Sequence, residues 1–140
     1  MRALPVLAGL IAKLAACSGS PEGDAASPQA TAEKSLFQAE IAPLLASNCA
    51  TCHMTGQEAG NMALIPAKAI ESLVGVKSVE APGLVRVVPG DPDASYLVMK
   101  LEGTHMAKGG TGAQMPFGAP PLPKETIAKV RQWIAEGAKP

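Results

Sequence analysis

The stretch Asn48-Cys49-Ala50-Thr51-Cys52-His53-Met54-Thr55-Gly56 decides how this chain is read. The whole sequence holds 3 cysteines and 2 histidines, and these nine positions take two of the first and one of the second. Cys49 and Cys52 stand three positions apart, so on one helical turn their thiols share a face. His53 follows directly and carries its imidazole alongside whatever the thiols hold.

Cys-x-x-Cys-His is the attachment signature for c-type haem. Two thiols at this spacing reach the two vinyl groups of one porphyrin edge, each forming a thioether, and the next imidazole binds the iron. Three other chemistries compete for the same residues. A zinc site needs four ligands, and no second cysteine pair exists; adding His105 would make a Cys2His2 set with a spacing unlike a zinc finger. A thioredoxin-like redox pair wants a βαβ setting. A disulfide across two residues is strained and leaves His53 unexplained. Covalent haem c on Cys49 and Cys52, with His53 as an iron ligand, is the reading that uses all three residues.

Composition agrees with a cofactor at the centre. Hydrophobic residues make up 47% of the 140, enough for one small globular domain, but aromatics are only 3%. Phe37, Tyr96, Phe117 and Trp133 are a thin supply for a core, and a porphyrin packed between helices would complete it. The formal net charge is zero and no Lys/Arg block occurs, which speaks against nucleic-acid binding.

Outward from the motif, the periodicity predicts short helices. Leu36, Phe37, Ile41, Leu44 and Leu45 mark one face of a helix over about 35–47. Ser35 and Gln38 form a capping-box pair at its start, and Pro43 is placed to kink it. Pro66 opens a second helix over 66–74, stopped by Gly75. β-branched residues around Ala81-Pro82-Gly83 allow a minor hairpin. Asp91 and Pro92 open a third helix over about 92–102, ending at Gly103. Residues 103–122 read as a Gly/Pro-rich loop, long enough to need a functional reason. Pro123 opens a last helix to about Glu136 that buries Ile127, Val130, Trp133 and Ile134, with Gly137 as its cap. The expected fold class is all-α, with short helices and long loops around one haem.

A second axial ligand is sought in that loop. Met54 lies too near His53 to reach the opposite face, and Met62 and Met99 read as packing residues. His105, Met106 and Met115 remain. Met115 ranks first, because Pro116 restricts its backbone to extended conformations and would present the thioether stiffly, with Phe117 near the haem edge. His105 and Met106 stay as alternatives. Arg86 is a candidate partner for a haem propionate; a solvated surface arginine is the plain alternative.

Four motifs carry a resemblance: Cys49-Ala-Thr-Cys52-His53, Arg86 to Leu97 (RVVPGDPDASYL), Met115 to Leu122 (MPFGAPPL) and Trp133 to Ala138 (WIAEGA). In this order, across 35–140, they resemble a bacterial class I cytochrome c domain, with Phe117 where that family often has proline. The resemblance implies the cytochrome c fold, His53 as proximal and Met115 as distal ligand, and a first helix crossing the last, with Phe37 or Ile41 against Trp133.

Near the start of the sequence, Arg2 precedes an apolar run too short to span a bilayer and of signal-peptide length. Leu14-Ala15-Ala16-Cys17 resembles a bacterial lipobox, although Lys13 is an unusual charge just before it. The expected division is a signal peptide over 1–16, a lipid-bearing Cys17, a Ser/Pro/Ala-rich tether over 17–34 and the haem domain over 35–140. The expected role is electron transfer without substrate chemistry, by a monomer in the bacterial periplasm or envelope, held to a membrane by its lipid and meeting redox partner proteins. A five-coordinate haem sensor, or a haem subunit of a larger redox complex, are the alternatives.

Overall fold

The computed structural model describes residues 33–140. The expected signal peptide, Cys17 and the tether as far as residue 32 lie outside the described residues.

Ser35 opens the first helix. Its Oγ accepts the Gln38 N–H at 3.2 Å, and its carbonyl accepts the Ala39 N–H at 2.8 Å. A π turn, Phe37–Ile41, runs directly into α1, Ala42–Asn48. The π turn is how the helix accommodates Pro43. Proline lacks an N–H and its ring would meet the carbonyl four residues back, so the ladder widens just ahead of it, with the Ala42 N–H reaching back to Phe37.

The remaining helices are α2, Pro66–Leu73, α3, Tyr96–Glu102, and α4, Lys124–Ala135, with a short 3-10 turn at His105–Lys108. The fold is all-α: no strand forms among the described residues, only four isolated pairings. The hairpin expected around Ala81-Pro82-Gly83 is reduced to one antiparallel pairing, Lys77 with Val85. Its arms find other partners instead, since Val74 pairs with Val87 and Val85 with Ser95, both in parallel. The first of these pairings also ends α2 at Leu73, because Val74 is drawn into extended backbone (φ −77°, ψ 119°) before Gly75 is reached.

The second pairing delays α3. Asp91 and Pro92 form a turn rather than a helix start, with Asp91 Oδ1 accepting the Ala94 N–H at 3.0 Å. The first free N–H groups of α3, on Tyr96 and Leu97, donate to the carbonyls of Val85 (3.0 Å) and Arg86 (2.9 Å). Backbone from a distant loop thus does the work of a side-chain cap. Gly103, at φ 75°, ends the helix as expected.

α4 closes the domain against the first helix. The rings of Phe37 and Trp133 lie 5.6 Å apart at 38°, with Ile41, Leu45, Val130 and Ile134 buried around them. Ala138 donates to the Trp133 carbonyl and Gly137, at φ 99°, to that of Ile134, both at 2.9 Å, a left-handed helix cap centred on the expected glycine. Among the described residues no helix is long and apolar enough to cross a membrane.

Candidate functional site

α1 delivers the chain into the cysteine motif. Cys49 is already outside helical geometry (φ −128°, ψ −39°), and its carbonyl collects the N–H groups of Cys52 (3.2 Å) and His53 (3.0 Å). This tight turn brings both thiols and the imidazole to one place. All three line a single cleft of about 230 Å³ that is partly open to solvent. Its walls are mostly apolar: Met62 and Leu64 from the segment after the motif, Leu73 from α2, Leu97 and Leu101 from α3, and Met115, Pro116 and Phe117 from the late loop.

Met115 is therefore brought into the same cleft as Cys49, Cys52 and His53. Its N–H donates to the Lys100 carbonyl at 3.0 Å, which ties the late loop to α3. Its two rivals are elsewhere. His105, an alternative ligand from the sequence, is 2% exposed; its Nε2 lies 2.9 Å from the Gly112 carbonyl and its ring stands edge-on to Tyr96. It does not line the cleft, so it organises its own loop, and a zinc site built from the cysteine pair loses its fourth donor. Met106 is 63% exposed and also lies outside. Met62, read as a packing residue, does line the cleft.

Arg86 lines the cleft, and the surface reading of it is overturned: it is 5% exposed. Its Nη1 donates to the Ser72 carbonyl at 2.7 Å, and its Nη2 to those of Gly60 (2.6 Å) and Asn61 (3.0 Å). Its Nε is buried without a partner. Burial pushes the guanidinium's pKa down, and nearby Glu80 opposes that shift.

Sequence reading missed the other polar wall. Lys100 is buried yet pairs with Glu80 at 3.2 Å, donates to the Thr111 carbonyl at 3.0 Å and lies over the Tyr96 ring, 5.9 Å from its centre. Tyr96 and Lys100 are four apart on α3, a spacing that marks a shared face; nothing local pointed to Glu80. Burial pushes the Tyr96 hydroxyl's pKa up, and Glu80 adds to the shift.

Two further observations bear on what the cleft can hold. His53 Nδ1 is buried with no hydrogen-bond partner, a costly state for a polar atom unless something else engages the ring. Burial, with Cys52 beside it, pushes the Cys49 thiol up to about 11, so at neutral pH it is a protonated, apolar-like group facing apolar walls. A large, flat, apolar molecule that reacts with both thiols and accepts a nitrogen and a thioether at its centre matches these donors. Among the described residues no group of three or more His, Cys, Asp or Glu side chains stands together as a metal-ion site. In comparisons with known proteins the chain significantly matches no family model, no curated protein and no solved structure.

Proposed function

We propose that this chain is a monohaem c-type cytochrome with the cytochrome c fold, carrying single electrons between redox partner proteins of the bacterial envelope. The observation that carries the reading is the meeting of Cys49, Cys52, His53 and Met115, from segments far apart in sequence, on the walls of one apolar cleft. A haem bound there would supply a one-electron iron couple. Every other part of the task falls to the chain. Cys49 and Cys52 would hold the porphyrin by thioethers, His53 would give the iron a nitrogen, and Met115 a thioether that favours the ferrous state and raises the potential. Were His53 and Met115 both to bind the iron, no coordination site would be left for a substrate, which fits a carrier rather than an enzyme.

The walls support the same reading. Leucines from α2, α3 and the segment after the motif would give a bound ring apolar walls. Buried Arg86, with its Nε unpartnered, is a fitting neighbour for a propionate. Phe117, 76% exposed, lies at the rim, where an electron would enter and leave. Export and a lipid at Cys17 would keep the domain near one membrane and raise its effective concentration for partners there.

The test is the full-length protein expressed with a haem-maturation system and exported. The expected result is one porphyrin mass added per chain, with reduced and oxidised spectra of low-spin c-type haem and a far-red sulfur-to-iron band. No added porphyrin mass would overturn the proposal. Rapid carbon monoxide binding to the reduced wild-type protein would replace the carrier with a ligand-binding sensor.

A further inference from the structure

We propose that Arg86 is a positioning residue for His53: its guanidinium latches the tip of the 54–63 loop to α2 and so fixes the setting of the imidazole. The His53 half of this rests on the reading of His53 as the iron ligand.

The loop departs from His53 and returns to it, since the Leu64 N–H donates to the His53 carbonyl at 2.7 Å. A loop closed on one residue transmits its own disorder to that residue unless its far end is held. Arg86 holds it. One arm of the guanidinium takes the carbonyls of Gly60 and Asn61, and the other takes the Ser72 carbonyl near the end of α2. Both loop residues have left-handed backbone, φ 79° at Gly60 and 48° at Asn61. Asparagine is among the side-chain-bearing residues that adopt this conformation most readily, and the bond to the Asn61 carbonyl holds it there. Ser72 adds a second stitch, its Oγ accepting the Ala63 N–H at 2.9 Å.

The charge state points the same way. Among the described residues no carboxylate lies within ion-pair distance of Arg86, although Lys100 nearby has one. Peptide carbonyls from two segments are what this buried cation is matched to. Only a planar fork with several fixed donors spans them, and a lysine ammonium cannot. At its near end the loop is organised independently, by Glu58 accepting from Thr55 and Gly56, so the latch governs the tip and the return.

The test uses haem-loaded protein, its loading checked by mass. In Arg86→Gln, amide hydrogen exchange at Asn61, Ala63 and Leu64 is expected to rise about tenfold or more, from the loss of charge-assisted bonds. The haem-methyl proton shifts of the oxidised protein are expected to change, because they report the imidazole plane. Arg86→Lys should restore neither fully. Should Arg86→Gln prove too unstable to measure, Ser72→Ala removes one stitch and is expected to raise exchange at Ala63 and Leu64 by a smaller factor. Unchanged exchange in both variants overturns the latch. So does a shifted reduction potential with unchanged exchange, which would make Arg86 purely a partner of a haem carboxylate. A wild-type protein without haem would overturn the electron-carrier reading, a failure distinct from a loaded variant with a quiet loop.

Discussion

At the scale of single residues, Met115 and Glu58 are tested by opposite kinds of change. Met115 enters the cleft on backbone tied to Lys100, so Met115→Ala should leave the fold in place and, on the proposed reading, free a coordination position on the haem iron. Its reduced form is expected to bind carbon monoxide, to lose the far-red band and to have a lower reduction potential than wild type; optical titration measures all three. If the band survived, Met62, the other thioether in the cleft, would be the ligand. Glu58 is a matter of pH. Desolvation pushes its carboxyl up, but hydrogen bonds from its own backbone, the Thr55 hydroxyl and the N–H groups of Thr55 and Gly56 outweigh that and hold it at about 2, against an ordinary 4.5. A folded pKa below the unfolded one gives stability that is complete above pH 4.5 and is lost as pH falls through about 2. Glu58→Gln should therefore melt below wild type at pH 6, and the gap should close as the pH approaches 2. A gap that stays constant from pH 6 to 2 in thermal melts would show that the carboxylate's charge is not what holds the turn.

At the scale of elements, the late loop is where structure exceeds what the sequence displays. Gly110 is buried because Tyr96 and the loop backbone close on it: a Cβ there would come within 2.6 Å of the Tyr96 hydroxyl and 2.9 Å of the His105 carbonyl. Gly110→Ala should cost about 1–3 kcal/mol by overpacking, read from denaturant unfolding, and a neutral result would mean the loop is free to shift. The helices themselves were legible wherever local chemistry sets them. Ser35 with Gln38, Gly103 and Gly137 mark ends that the backbone respects, and the apolar spacing of α4 names its buried residues. The misses share one cause. α2 stops at Leu73 and α3 waits until Tyr96 because Val87 and Val85 reach over to pair with them, and no window of neighbouring residues contains that information. Pro43 was legible as a disturbance, but the π turn that absorbs it was not. Of the residues that line the cleft, spacing and a following proline single out Cys49, Cys52, His53 and Met115, whereas Glu80 and the burial of Arg86 depend on tertiary contacts alone.

At the scale of the whole molecule, the question is what fills the centre. The buried cluster draws on α1 to α4, yet the aromatic pair within it is Phe37 with Trp133, whose rings are tilted against each other. The cleft borders this cluster, with Leu64, Leu73 and Leu101 belonging to both and Met62 and Met115 packed against it, and leaves an apolar space of about 230 Å³. A domain of this size has little stability to spare, and an apolar cavity open to water is a surface it would collapse or aggregate to hide. On the proposed reading, the low aromatic content visible in the sequence and this apolar cleft have one cause, a planar cofactor that completes the core. Cys49→Ser/Cys52→Ser protein, exported by the same route, should accordingly show reduced far-ultraviolet helicity, bind a hydrophobic dye such as ANS and unfold over a broad range of denaturant. The haem-loaded wild type should instead unfold in one cooperative step. Native-like helicity with a single sharp transition in the serine variant would mean that α1, α3 and α4 make a sufficient core by themselves, and that whatever occupies the cleft is held by the fold rather than being part of it.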